Sequence, residues 1–308
     1  MKKWKRLLLV VLVMVGVIGG GWYAYNSSIT TMTRDTKSVA PKYIEKKNVR
    51  LVALGDSLTH GQGDEDNNGG YVGIIKSKIE HHYKQTKVTT INYGVTGDRS
   101  DQILDRVDQQ SQLRKDLQAA DVITMTVGGN DLMQILEKNV MGSENQVTSS
   151  VRKGEKTYQQ KLVKLFNAVR QENPKAPIFV MSIYNPFYTY FPDVTIIDQS
   201  IGEWNQTTQN AMSNYHYMYF VDINKVMSYG QYQTKNQQQK LIKEEKQANQ
   251  GKVSQKRVIE IMNHKDQNLN KYISTTDNFH PNHAGYSQIA ARLFDSMEKH
   301  DSWEFTRR

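Results

Sequence analysis

Short apolar runs recur along the chain at Val49–Leu54, Val88–Tyr93, Val122–Val127, Ile178–Ile183 and Tyr217–Ile223. Their length suits strands buried on both faces of a parallel sheet. Between them the apolar positions change period. Tyr158, Leu162, Leu165, Phe166 and Val169 fall on one helical stripe, as do Ile197, Ile201, Trp204, Thr208 and Ala211. The cleanest stripe is the last, with Tyr286, Ile289, Ala290, Leu293, Phe294 and Met297 in line and Asn282 placed to cap the helix. Five strands alternating with helices predict an α/β protein, a three-layer α/β/α sandwich.

The pattern at the N-terminus is of another kind. Lys2, Lys3, Lys5 and Arg6 precede Leu7–Tyr25, an uncharged and mostly apolar stretch, and the next charge is Arg34. At about 1.5 Å per residue such a helix matches a hydrocarbon core of roughly 30 Å, and the basic flank should stay inside. The rival is a cleaved signal peptide with Leu7–Ile18 as its apolar region and Gly19 and Gly21 before the cut. Trp22, Tyr23 and Tyr25 resemble an interfacial belt and favour the anchor. The expected organisation is an anchor or signal at 1–25, a polar spacer at 26–48, a globular domain at 49–300 and a tail at 301–308. The globular domain would then lie outside the cell, in a setting that suits a Gram-positive-type surface.

Composition narrows the class. The 308 residues carry 40 basic and 31 acidic side chains, a net charge of +9, with 38% apolar and 23% charged residues. These values exclude a disordered, collagen-like or multi-span chain. Absence of cysteine excludes a disulfide framework, thiolate zinc sites, a thiol nucleophile and lipid attachment at an N-terminal cysteine. Gln231–Arg257 holds seven basic and two acidic residues, a local charge of +5, and reads as a helical insertion. A solvated surface helix is the favoured account of it, over a flap or a contact to anionic envelope polymers or lipids. Despite the basic balance, no carboxylate-rich metal cluster supports a nuclease or phosphodiesterase, and no nucleic-acid partner is expected.

In an open α/β sheet, ligands sit at the carboxyl ends of strands. The first strand runs directly into Gly55-Asp56-Ser57-Leu58-Thr59-His60-Gly61, which puts Ser57 where a nucleophile could act, although a serine there also caps helices. Thr59 breaks the Gly-x-Ser-x-Gly elbow of α/β-hydrolases. A serine nucleophile needs a base oriented by a third group. Asp277-Asn278-Phe279-His280-Pro281-Asn282-His283 offers one, because a carboxylate three residues before an imidazole can fold back onto its second ring nitrogen. Helix capping would account for Asp277 or Asn282 as well, and His283 reads as structural because further metal ligands are lacking. Donors for a developing oxyanion could come from Asn92–Gly97 after the second strand and Val127–Asp131 after the third, where Asn130 can donate through its side chain. Tyr184, Phe187, Tyr188, Tyr190 and Phe191 follow the fourth strand and could line an apolar cleft, stack on sugar rings or simply pack their own loop.

Taken in order, these blocks resemble the SGNH, or GDSL, hydrolase superfamily, and within it the membrane-anchored or secreted bacterial lipase/acylhydrolase branch. The likeness spans residues 49–300 through Gly55–Gly61 with Ser57, Asn92–Ser100 with Gly97, Gly128–Asp131 with Asn130, and Asp277 with His280. It implies a flavodoxin-like five-stranded parallel sheet of order 2-1-3-4-5. It also implies ester hydrolysis through an acyl-enzyme, with Ser57, His280 and Asp277 catalytic and no metal or cofactor. Ser57 N–H, Gly97 N–H and the Asn130 side chain would form the oxyanion hole. The expected substrate is a small-molecule, lipid or glycan ester, the alternatives being a carbohydrate O-acetyl esterase and a surface binding module of the same fold. Two features depart from the family's pattern: Asn278-Phe279 stands where Gly-aliphatic is common, and the insertion at 231–257 is unfamiliar.

Overall fold

The structure, a computed structural model, describes residues 43–139, 142–248 and 270–307. Five parallel strands, β1 (Asn48–Gly55), β2 (Lys87–Gly94), β3 (Val122–Thr126), β4 (Ile178–Met181) and β5 (Met218–Val221), form one sheet of spatial order β2-β1-β3-β4-β5. This is the 2-1-3-4-5 order that the resemblance implied, and each strand lies within about two residues of its apolar run. Side chains along a strand point alternately to opposite faces, so one sheet feeds two cores. Val52, Leu54, Ile123, Met125, Ile178 and Val180 enter one core, whereas Val49, Leu51, Ala53, Val122, Phe179 and Met181 enter the other.

Helices cover both faces. The first core is closed by α3 (Ser100–Gln109), α4 (Ser111–Gln118), α6 (Glu144–Glu172) and α7 (Thr195–Met212), the second by α2 (Tyr71–His82), α8 (Asn224–Tyr229) and α10 (His283–Lys299). Two more helices, α1 (Ser57–His60) and α5 (Gly129–Lys138), start at strand ends, and α9 (Lys235–Ala248) lies in the insertion. All six apolar positions expected on the last helix are buried, and Asn282 Oδ1 accepts the Gly285 N–H as its cap. Each large side chain so buried contributes about 1.5–3 kcal/mol, so α10 is anchored by packing rather than by helix propensity.

The domain edges differ from expectation. Lys46 Nζ pairs with Asp121 Oδ1 at 2.6 Å and the Lys87 N–H donates to the Lys47 carbonyl at 2.8 Å, so the fold begins ahead of residue 49. The tail expected at 301–308 is a correction: Trp303 is 1% exposed within the second core and donates its indole N–H to the Met297 carbonyl at 3.1 Å. A lone tryptophan after a helix carries no period, which is why pattern reading passed over it. In the insertion, α9 presents its lysines to solvent and buries Leu241, while 249–257 lie outside the described residues. So does the expected membrane span at Leu7–Tyr25. Among the described residues no helix is long and apolar enough to cross a membrane.

Candidate active site

The nucleophile turn is built by close packing at the end of β1. A Cβ at Gly55 would stand 2.6 Å from the Thr126 carbonyl oxygen, so only glycine lets β1 run this near β3. Asp56 then caps α1, its carboxylate accepting the Leu58 N–H at 3.0 Å and the Thr126 hydroxyl at 2.7 Å. Beneath lies a buried hydroxyl chain: Thr59 Oγ1 is 2.8 Å from Thr126 Oγ1 and 3.0 Å from the Tyr71 hydroxyl, which is 3.1 Å from Thr124 Oγ1. Burial raises the Asp56 carboxyl above its ordinary value against the pull of these hydrogen bonds. Ser57, at the first turn of α1, is 6% exposed.

The base arrives from the far end of the chain. His280 Nε2 is 2.8 Å from Ser57 Oγ, and His280 Nδ1 is 2.5 Å from Asp277 Oδ2. The other Asp277 oxygen accepts the backbone N–H groups of Phe279 (3.0 Å) and His280 (2.9 Å). Burial works to raise the Asp277 carboxyl, but the imidazole and the two N–H donors outweigh it and hold it at about 2. This tight fold-back depends on Asn278, which takes the left-handed conformation at φ 52°, a region asparagine tolerates better than most residues. The departure from the family's glycine is thereby accommodated.

The two loops expected to supply oxyanion donors are joined by a hydrogen bond from Asn130 to Asp98, and Asn130 shares the cleft with Ser57. Gly97 sits at φ +84° on an exposed loop where a Cβ would find no atom within 4 Å. Asn130, at the start of α5, lines the cleft next to Ser57 and donates one Nδ2 hydrogen to the Asp98 carbonyl at 2.8 Å, leaving its second for the cleft. Ser100 reinforces the junction, its N–H and hydroxyl both donating to Asp131 at 2.8 and 2.7 Å.

Sequence reasoning missed Arg106. Its guanidinium donates to Asp98 Oδ2 at 2.7 Å, to the Tyr93 carbonyl at 2.8 Å and to the Gly55 carbonyl at 2.8 Å, binding the Gly97 loop to the ends of β1 and β2. One cation on a helix beside Ile103 and Val107 carries no signal in the sequence. Gln62 was missed too, and it donates to Asp277 Oδ2 at 3.4 Å. His283 is an ion-pair partner, with Nδ1 at 3.0 Å from Asp64 and 3.2 Å from Asp66. Among the described residues no group of three His, Cys, Asp or Glu side chains could hold a metal. The aromatic loop divides between the readings proposed for it. Tyr184 lines the cleft and donates to the Phe279 carbonyl at 2.8 Å, while Phe187, Tyr190 and Phe191 pack together and Tyr188 packs on Tyr229.

A five-stranded parallel sheet of this order, carrying a hydrogen-bonded Ser, His and Asp beyond its strand ends, defines the SGNH class of hydrolase. The pattern of the GDSL-like lipase/acylhydrolase family matches residues 53–288, and the chain belongs to that family as a carboxylic ester hydrolase. It is 29% identical to the uncharacterized protein YpmR of Bacillus subtilis (strain 168) over 89% of this chain and 90% of that one. It is 28% identical to the spore germination lipase LipC of Bacillus licheniformis over 51% of this chain and 72% of LipC. Among solved structures, the lipase Lip_vut3 from a goat rumen metagenome superposes with a TM-score of 0.58 at 21% identity, covering 80% of this chain and 97% of that one. A variant of Axe2, an acetyl-xylooligosaccharide esterase from Geobacillus, gives 0.50 at 14% identity over 81% and 94%.

Proposed function

We propose that the protein hydrolyses carboxylic esters through an acyl-enzyme on Ser57. The observation that carries this reading is the unbroken line from Ser57 Oγ through His280 to Asp277, at 2.8 and 2.5 Å. His280 Nε2 takes the Ser57 proton as Oγ bonds to the ester carbonyl carbon, and Asp277 fixes the tautomer and balances the imidazolium. The resulting oxyanion is met by the N–H groups of Ser57 and Gly97 and by Asn130 Nδ2. Collapse expels the alcohol, which receives the proton from His280. Water then loses a proton to His280 and attacks the acyl carbon, releasing the acid and restoring Ser57. Every proton is carried by the chain's own residues, so a chelator should leave the rate unchanged.

The catalytic domain is proposed to work outside the cell on Leu7–Tyr25, a reading supported by the four cations before that stretch. Its substrates are lipid or small acyl esters, as the lipase names of LipC and Lip_vut3 suggest. A glycan O-acetyl substrate is the second reading, favoured by the small volume of the cleft. Labelling by a fluorophosphonate, combined with hydrolysis of activated esters, tests the core of the proposal. Wild type should be labelled at Ser57 and turn over. Ser57→Ala should lose both the label and about 10⁴-fold or more in kcat while keeping its melting temperature. Undiminished turnover in Ser57→Ala would sink the mechanism.

A further inference from the structure

Phe279 stands between the two residues that activate Ser57, yet its ring belongs to the substrate cleft. It lines that cleft with Leu58, Val127, Ile183, Tyr184 and Pro186. Its ring meets that of His280 edge-on at 4.9 Å and lies 6.0 Å from that of Phe187. Tyr184 donates to the Phe279 carbonyl at 2.8 Å, and burial raises the Tyr184 phenol well above its ordinary value, which keeps it a neutral donor. Phe279 itself is half-buried, whereas Tyr184 and Phe187 behind it are buried. The ring is therefore braced by Phe187 and His280 while it lines the cleft.

The cleft is short. Its lining includes Asp56, Thr126, Met181 and Ser182, all buried at or just beyond the ends of β1, β3 and β4, so on that side it is bounded by the sheet. It offers a volume of about 40 Å³ and is partly open to solvent, room for only a small group beside Ser57. An apolar lining selects the acyl carbons of an ester, and that volume suits a short acyl group.

We propose that Phe279, braced by Tyr184 and Phe187, is the wall that limits the acyl group, and that the enzyme is specific for esters of short acyl acids. This rests on Ser57 as the nucleophile. Longer chains must displace the ring and lose its packing against Phe187. Loss of the ring extends the cleft on its open side, where one methylene of fit changes discrimination by about tenfold or more.

The test is kcat/KM on p-nitrophenyl acetate, butyrate and octanoate for the full-length wild type, Phe279→Ala, Phe279→Leu and Phe187→Ala, each titrated with a fluorophosphonate to count reactive Ser57. Wild type should favour acetate and butyrate over octanoate by at least about tenfold. Phe279→Ala should raise the octanoate-to-acetate ratio by about tenfold or more and Phe279→Leu by less, because leucine refills part of the volume. Phe187→Ala should move the ratio in the same direction by freeing the ring. A labelled wild type that hydrolyses octanoate as well as butyrate overturns the wall while leaving the nucleophile standing. So does an unchanged ratio in labelled Phe187→Ala together with either labelled Phe279 variant. A wild type that is neither labelled nor active on any ester overturns the nucleophile, and the wall with it.

Discussion

The two halves of the catalytic line are held in different ways. Ser57 stands between a strand buried on both faces and a buried hydroxyl chain of Thr59, Tyr71, Thr124 and Thr126. Asp277 and His280 stand on irregular chain, held by their own fold-back, by Tyr184 on the Phe279 carbonyl and by the packing of α10. The nucleophile is thus part of the core's cohesion, whereas the base depends on a few local hydrogen bonds. Substitutions at the residues that hold Ser57 in place, rather than at Ser57 itself, should be read out chiefly as stability, and those on the second side chiefly as rate.

The sharpest trial of that division is Asp277→Asn. Its turnover should fall by up to about 10⁴-fold, because the amide both disturbs the imidazole tautomer and removes charge from beside the imidazolium. A pH series adds the electrostatic side. The Asp277 carboxyl is held at about 2 in the folded protein against an ordinary 3.8. The stability it contributes is therefore complete above about 4 and lost as pH falls through about 2. Wild type should lose stability over that interval faster than Asp277→Asn, and parallel curves would show that the pair contributes nothing to folding.

Asp56→Ala should behave in the opposite manner. It removes the α1 cap and the acceptor of the Thr126 hydroxyl, leaving a buried polar group unsatisfied, at about 1–3 kcal/mol in denaturant unfolding. A variant as stable as wild type would mean that the buried hydroxyls, rather than Asp56, hold the turn.

Arg106→Lys tests whether the Gly97 loop belongs to the rigid or the local side. A lysine cannot reach three acceptors at once, so the loop should drift and kcat should fall by about tenfold with little change in KM, since the oxyanion forms only in the transition state. A pure KM effect would place the clamp on substrate binding.

The smallest effect is expected at His283. Its hydrogen bond to Asp64 outweighs burial and raises the imidazole above its ordinary value, with Asp66 adding to it. The stability this gives is complete below about 6.5 and fades as pH rises through the raised value. His283→Asn should therefore cost melting temperature at pH 6 and less at pH 9. An equal loss at both would assign His283 to hydrogen bonding alone.

The length of the apolar runs placed all five strands and the helical repeat placed the apolar stripe of α10, because both are local consequences of backbone geometry. Local chemistry was also legible: three-residue spacing lets Asp277 return to His280, and Asn278 suits the left-handed turn between them. The meeting of Ser57 with His280, 223 positions apart, was anticipated from the order of the blocks. What the sequence could not carry was contact that depends on how the elements close upon one another. Arg106 reaches two strand ends and Asp98, Trp303 folds back into the second core, and Phe279 is braced by Tyr184 and Phe187 against the cleft. None of these follows from a repeat or a spacing, since each joins residues distant in the chain through side-chain reach and packing. The sequence by itself determined the sheet, its helices and the chemical groups of the site. The tertiary structure decided which groups hold those residues in place and how much room the substrate is given.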